Sequence, residues 1–319
     1  MRIVFMGTPD FAVPSLKALV DAGHEIAGVV TQPDRPKGRG QKMAPPAVKV
    51  AGVEEGLTIY QPAKIKTDEF IDTLRELSPE LIVVAAFGQL LSREILELPE
   101  FGCINVHASL LPKYRGAAPI HWAVINGESA TGVTIMQMDV GLDTGDMILS
   151  DTIPISADDT TGTLHDRLSQ LGANLLVKAV ELISSGEVRR VPQDQTQASY
   201  APLLTRELEK IDWSRSSFEI FNLVRGLNPW PGVFTLLGDK ILKIWSAKAC
   251  TTDPIPGPVP ELSRFRPGEV LGPIPKVGFA VATGNGCIAL TEVQLQGSKR
   301  MKAEEFMRGH NITRGVRLG

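Results

Sequence analysis

The sequence predicts an α/β protein: a doubly wound, mostly parallel sheet followed by a smaller β-rich domain. Three observations carry that expectation. Short, continuously apolar runs alternate with helical patterns through the first two hundred or so residues, as strands buried on both faces of a parallel sheet read. A polar stretch with two prolines, Val191–Leu204, then breaks the alternation. Beyond it lie short β-like stretches separated by glycine and proline, the pattern of a small barrel or sandwich. The expected division is a first domain over residues 1–190, a linker over 191–205 and a second domain over 206–319.

Taken in order, Ile3–Met6 reads as a buried strand, followed by Gly7 and a helix carrying Phe11, Leu16, Leu19 and Val20. Ile26–Val30 is a second strand, Pro45–Glu55 a helix, Thr58–Tyr60 a short strand and Thr67–Leu77 another helix. Leu81–Ala86 and Gly102–His107 are further strands. Thr131–Met138 and Met147–Ile155 read as two longer strands around a Gly/Asp-rich turn, and Thr163–Ser184 as a long amphipathic helix. After the linker, Ser214–Leu227 is helical. Val233–Leu237, Ile241–Ala247, Glu269–Leu271, Gly278–Thr283 and Cys287–Leu295 are strands. The proline-rich stretch Thr251–Pro275 reads mainly as a loop.

A chain of 319 residues with 43% hydrophobic and 22% charged residues is rich enough to build one or two cores, which excludes wholesale disorder. No apolar run is long enough for a membrane span. The start runs directly into a strand, so no leader is expected. Cys103, Cys250 and Cys287 lie too far apart for a zinc knuckle, a disulfide framework or a thioredoxin motif. The expected setting is a reducing cytoplasm. The net charge of −3 is unevenly spread: −8 over residues 1–199 and +5 over residues 200–319. A basic second half is compatible with a polyanionic partner, and equally with a solvated surface.

The opening strand–glycine–helix resembles a dinucleotide fold only superficially. Met6-Gly7-Thr8-Pro9-Asp10-Phe11 has one glycine, and Pro9 removes an amide donor, so nicotinamide and ATP are not expected. More telling is Gly102-Cys103-Ile104-Asn105-Val106-His107, where the strand period puts Asn105 and His107 on one face. An amide and an imidazole delivered together to the carboxyl end of a parallel strand make an active-site candidate. The alternative is a core histidine bonded to a carbonyl. A carboxylate is offered by Asp139, Asp143 or Asp146, among which the pattern does not choose. A calcium loop is excluded because the twelfth position, counted from Asp139, holds Ser150. Amide, imidazole and carboxylate with no nucleophile elbow suggest acyl transfer directly between two bound substrates.

These residues, with Ser109-Leu110-Leu111-Pro112-Lys113-Tyr114-Arg115-Gly116-Ala117-Ala118-Pro119, resemble the folate-dependent formyltransferases. The opening Gly7-Thr8-Pro9-Asp10-Phe11 and the run Thr31–Gly40 resemble the branch of that family acting on charged initiator tRNA. So do Asn228-Pro229-Trp230-Pro231-Gly232 and Leu295–Met301. The resemblance implies the formyltransferase fold with an OB-like barrel behind it. It implies 10-formyltetrahydrofolate as co-substrate, no metal, and the amino group of initiator methionyl-tRNA as acceptor. It further implies His107 in proton movement, Asn105 as an oxyanion donor, Asp143 as the partner of His107, and Ser109, Leu110, Leu111 and Pro112 lining the folate site. No membrane partner is implied, and a monomer is expected.

Thr31–Pro46 carries Arg35, Lys37, Arg39 and Lys42 among glycines and prolines and is expected to form no regular element. It is a mobile surface loop or one that orders against nucleic acid; the resemblance favours the second, with Arg39 foremost. Lys299, Arg300 and Lys302 form a second basic patch. Trp230 and Trp245 are expected in the core rather than as stacking platforms. The rival readings are a formyltransferase for a small amine, which would need neither basic segment, and a catalytically dead nucleic-acid binder, which would need no Asn-His-Asp set.

Overall fold

A run such as Ile3-Val4-Phe5-Met6, with every side chain out of water, can only sit in the middle of a sheet covered on both faces. In the computed structural model, which describes residues 1–38, 40, 42–250 and 265–319, that run is the centre of β1 (Arg2–Gly7). Along the chain follow α1 (Val13–Asp21), β2 (Glu25–Val30), β3 (Arg35–Lys37), β4 (Lys42–Ala44), α2 (Ala47–Glu54), β5 (Ile59–Tyr60) and α3 (Asp68–Leu77). Next come β6 (Leu81–Ala85), α4 (Arg93–Leu96), β7 (Cys103–His107), β8 (Arg115–Gly116), α5 (Pro119–Ile125), β9 (Ala130–Gln137), β10 (Met147–Pro154), α6 (Thr161–Ser184) and β11 (Tyr200–Ala201).

The main sheet has the order β10-β9-β7-β6-β1-β2-β5. Strands β5, β2, β1, β6 and β7 are parallel to one another, while β9 pairs antiparallel with both β7 and β10. The chain leaves β1 toward β2 and β5, then returns to the other side of β1 with β6 and β7. That reversal opens a crevice at the carboxyl ends of the parallel strands, where ligands bind in open α/β sheets. One face of the sheet packs Val4, Met6, Ile82, Val84 and Cys103 against Phe70, Ile71, Leu74 and Ile95. Burial pushes the Cys103 thiol up to about 12, so it behaves as an inert apolar group. On β7, Val106 packs against Gly172 of α6, where an added Cβ would lie 2.8 Å from its methyl group. The missing side chain lets the helix brace the strand that carries Asn105 and His107.

The chain divides into two compact units: Met1–Pro119, Ala130–Pro154 and His165–Ala201 form the first, and Ile120–Ser129, Ile155–Leu164 and Pro202–Gly319 the second. The second holds α7 (Ser217–Gly226), β12 (Val233–Leu237), β13 (Lys240–Cys250), β14 (Val270–Ile274), β15 (Gly278–Ala282), β16 (Cys287–Leu295), β17 (Met301–Lys302) and α8 (Ala303–Gly309). Helix α7 starts at a capping box in which the Ser216 hydroxyl accepts from Glu219 N–H and the Glu219 carboxylate accepts from Ser216 N–H. Its strands pair antiparallel in the order β12-β13-β16-β15-β14. The outer strands β12 and β14 are then bridged by the end of the chain. Leu318 N–H bonds Gly268 O at 2.8 Å, Gly319 N–H bonds Leu236 O at 3.0 Å and Val270 N–H bonds Val316 O at 2.8 Å. The tail thereby covers two edges that would otherwise be open to pairing, and the sheet closes into a small barrel around Trp213, Leu242, Phe279, Leu290 and Phe306. The sequence reading expected the barrel, but neither its closure by the tail nor α8.

Leu318 is 1% exposed at that seam. Leu318→Ala is therefore expected to cost about 2–4 kcal/mol, the usual range for emptying a buried leucine site, measured by urea unfolding of the barrel signal.

Candidate active site

Strand β7 ends at His107, which is 5% exposed, two residues past the half-buried Asn105 on the same face. Two acceptors bracket the imidazole. Its Nε2 lies 3.0 Å from the Tyr114 carbonyl oxygen, so in the neutral ring Nε2 carries the proton. Its Nδ1 lies 3.7 Å from Asp143 Oδ2, within ion-pair reach but beyond a hydrogen bond. A second proton taken up at Nδ1 therefore points at a carboxylate. Such a pair can hold a positive charge on the ring beside a carboxylate.

The geometry selects Asp143 among the three aspartates. Asp139 is committed to its own turn, accepting from Gly141 N–H at 3.0 Å and Thr144 Oγ1 at 2.7 Å. Asp143 Oδ2 faces His107 and accepts from Gly116 N–H at 2.8 Å. Its backbone is left-handed, φ 52°, and Tyr114, whose carbonyl holds His107, is likewise at φ 60°. Each such conformation costs about 1–3 kcal/mol in a non-glycine residue and persists only where surrounding bonds over-determine it.

Those bonds come from a stretch that the sequence reads as a linker. Residues Ser199–Ala201 run beside Tyr114–Ala117: Tyr114 N–H donates to Ser199 Oγ, Arg115 N–H to Ser199 O and Ala117 N–H to Ala201 O, all at 2.8–2.9 Å. The buried guanidinium of Arg115 donates to Gln193 Oε1 at 3.0 and 2.6 Å and to Gln195 Oε1 at 2.9 Å. Sequence reasoning quoted Arg115 without a role and missed Gln193, Ser199 and Thr134. The available signals were an arginine among small residues and a glutamine-rich run inside a supposed spacer. Thr134, opposite His107 on β9, donates to Ser109 O at 2.7 Å and accepts from Leu111 N–H at 3.2 Å.

Of the segment expected to line a folate site, Ser109 is buried and its hydroxyl bonds Lys113 O at 2.6 Å, and Leu111 is also buried. Leu110 and Pro112 are the half-buried members. Nearby at the crevice, Thr8 Oγ1 and Gln32 Nε2 both donate to the Phe87 carbonyl, at 2.9 and 3.4 Å, just past the left-handed Ala86.

The basic loop differs from expectation. Arg35–Lys37 and Lys42–Ala44 pair as a two-stranded antiparallel ribbon, with Lys37 opposite Lys42. In a two-stranded ribbon both strands are edges, so Pro36 needs no ladder partner for its missing N–H, and Gly38 at φ 75° opens the turn. Arg39 lies outside the described residues, as does the side chain of Lys37. Arg35 and Lys42 are exposed. The base of the ribbon is held by Asp34, which accepts from Gln61 at 2.7 Å and Lys49 at 2.8 Å. These two bonds, Gln61 first, hold its carboxyl below the usual range.

In the second unit Trp230 is 70% exposed, against the expectation that it is core. The adjoining Gly232 packs on the Trp245 ring and Lys243 Nζ bonds the Pro231 carbonyl at 3.2 Å, which turns Trp230 outward. Trp245 is half-buried, its N–H bonded to Gln294 at 3.0 Å, with Lys243 and Arg300 over its ring at 5.3 and 5.0 Å. Arg300 also pairs with Glu292 at 2.5 Å, whereas Lys299 and Lys302 are exposed. Among the described residues no three His, Cys, Asp or Glu side chains gather as a metal site, and no helix is long and apolar enough to cross a membrane.

The formyl transferase family pattern matches residues 1–180, and that of the formyl transferase C-terminal domain matches residues 203–311. The chain belongs to the formyl transferase family. It is 54% identical over all 319 residues to the methionyl-tRNA formyltransferase of Pelotomaculum thermopropionicum, covering 99% of that protein. It is 53% identical over all 319 residues to the one of Desulforamulus reducens, covering 98%. The structure of the N-formyltransferase from Helicobacter canadensis, in complex with folinic acid and dTDP-3-aminofucose, matches with a TM-score of 0.63 at 19% identity, over 91% of this chain and 98% of that one. At that identity the likeness is one of fold.

Gly116, at φ 111°, would place an added Cβ 2.9 Å from the Ala201 carbonyl. Gly116→Ala is expected to part β8 from β11 and lower stability by about 1–3 kcal/mol, read by urea unfolding.

Proposed function

We propose that this chain transfers the formyl group of 10-formyltetrahydrofolate to the α-amino group of methionine on initiator methionyl-tRNA, acting as a cytoplasmic monomer. The observation that carries the chemistry is the His107–Asp143 pair at the end of β7 beside Asn105. The acceptor is supported by the full-length relatives named methionyl-tRNA formyltransferase.

In the proposed reaction the amine attacks the formyl carbon directly and a tetrahedral intermediate forms. The amine loses a proton, the bond from the formyl carbon to N10 breaks, and N10 receives a proton as it leaves. His107 moves the proton, balanced by Asp143 as it becomes charged. Asn105 donates to the oxyanion, a hydrogen bond that strengthens as charge develops. Residues Ser109, Leu110, Leu111 and Pro112 border the folate; the first unit carries catalysis and the second binds RNA. Arg35, Lys37, Arg39, Lys42, Lys299 and Arg300 contact tRNA phosphates, and the exposed Trp230 offers a face on which an unpaired base stacks.

The deciding assay measures formyl transfer to charged initiator tRNA beside free methionine and an amino sugar nucleotide. Transfer to the tRNA alone is expected; transfer only to the small amine would reject the RNA acceptor. Asn105→Ala is expected to lower kcat by ~10²–10³, the common cost of one oxyanion donor, and a loss under tenfold would remove it from that role. If about four phosphates are neutralised, log K for tRNA falls against log salt with a slope of about −3 to −4. A slope near zero would reject the basic contacts.

A further inference from the structure

Gln193 uses every hydrogen-bonding position of its amide inside the protein. Its Oε1 accepts twice from the Arg115 guanidinium, at 3.0 and 2.6 Å, and its Nε2 donates to Asp143 O at 2.9 Å and Gly145 O at 2.7 Å. It is 7% exposed and Arg115 is 1% exposed. Asp143 is thus held at both ends: its carbonyl by Gln193 and its carboxylate by Gly116 N–H. The residue between those two anchors on the other side is Arg115 itself. Tyr114, on the far side of Arg115, presents the carbonyl that accepts from His107 Nε2.

Three consecutive residues, Tyr114, Arg115 and Gly116, therefore set the ring nitrogen, the clamp and the carboxylate. Gln193 ties that trio to the strained backbone of Asp143. An amide is the side chain this position needs. A carboxylate would satisfy Arg115 but could not donate to the two carbonyls, and an apolar group would satisfy neither. Removing the amide releases the left-handed Asp143 from one of its two anchors, and the 3.7 Å approach to His107 is no longer fixed.

We propose that Gln193 is a positioning residue for formyl transfer: through Arg115 and the Asp143 backbone it sets the His107–Asp143 geometry on which proton movement depends. This rests on the formyl-transfer reading above. Gln193 touches neither substrate in the proposal; it acts through Asp143.

The test uses the full chain carrying Gln193→Glu or Gln193→Met. The Glu variant keeps the acceptors of Arg115 and the Met variant keeps the volume. In both, kcat is expected to fall about 10- to 100-fold, the scale of a small misplacement of reacting groups, with KM for both substrates within about threefold. The pH profile of kcat shifts as His107 and Asp143 separate. Independently of activity, ¹⁵N NMR of the histidine rings is expected to change the His107 nitrogen signals while His310 keeps its own. The proposal falls if a folded variant retains wild-type kcat and His107 signals. It falls equally if the loss of kcat only tracks the folded fraction, with the pH profile unmoved, or if neither variant folds. A wild-type chain inactive on charged tRNA would instead reject the acceptor reading, and the NMR comparison would still decide the role of Gln193.

Discussion

A guanidinium withdrawn from water must have its N–H groups met, because an unpaired buried charge is far costlier than the bond that would satisfy it. Arg115, among the largest fully buried side chains, meets that requirement with two glutamine oxygens instead of a carboxylate. The consequence reaches well beyond one residue. Residues 193–201 must stay with the first unit to supply those oxygens, and there they pair with residues 114–117. The active-site loop then takes its shape from their amides and carbonyls.

The sheet and this buried network divide the work between them. Strand β7 delivers Asn105 and His107 to the crevice, supported by parallel β6, antiparallel β9 and the glycine-backed packing of α6 on Val106. A strand end alone would leave an imidazole free to rotate. The Tyr114 carbonyl sets the ring nitrogen, and Asp143 stands 3.7 Å off the other nitrogen, within ion-pair reach but beyond a hydrogen bond. Left-handed backbone at Ala86, Tyr114 and Asp143 marks where chain direction is given up for placement.

The second unit solves a different problem. Its antiparallel sheet has two outer strands that the last residues of the chain bridge, so pairing groups are satisfied internally and the surface remains available for charge. Within that surface, Lys243 and Arg300 flank Trp245, while Trp230 stands in solvent beside them in the chain's Asn228–Gly232 turn.

Much of this was legible in the sequence, for a physical reason. Strands such as Ile3–Met6 and Leu81–Ala85 are apolar on every residue because both faces are covered, and local composition records burial. The period-two spacing of Asn105 and His107 likewise encodes a shared face. Other features have no local signature. The pattern left Asp139, Asp143 and Asp146 equivalent because what separates them is a backbone N–H from Gly116 and an imidazole brought by a different strand. The polar stretch holding Gln193 reads as a spacer because its partner, Arg115, lies 78 positions away. Trp230 reads as core because tryptophan is mostly apolar, and only the turn that locks Gly232 against Trp245 sends it outward. Sequence by itself determined the alternation of the main strands and helices and the shared face of Asn105 and His107, since these follow from burial and periodicity. Tertiary structure decided which carboxylate meets His107 and what holds it there, since hydrogen bonds between distant segments leave no periodic trace.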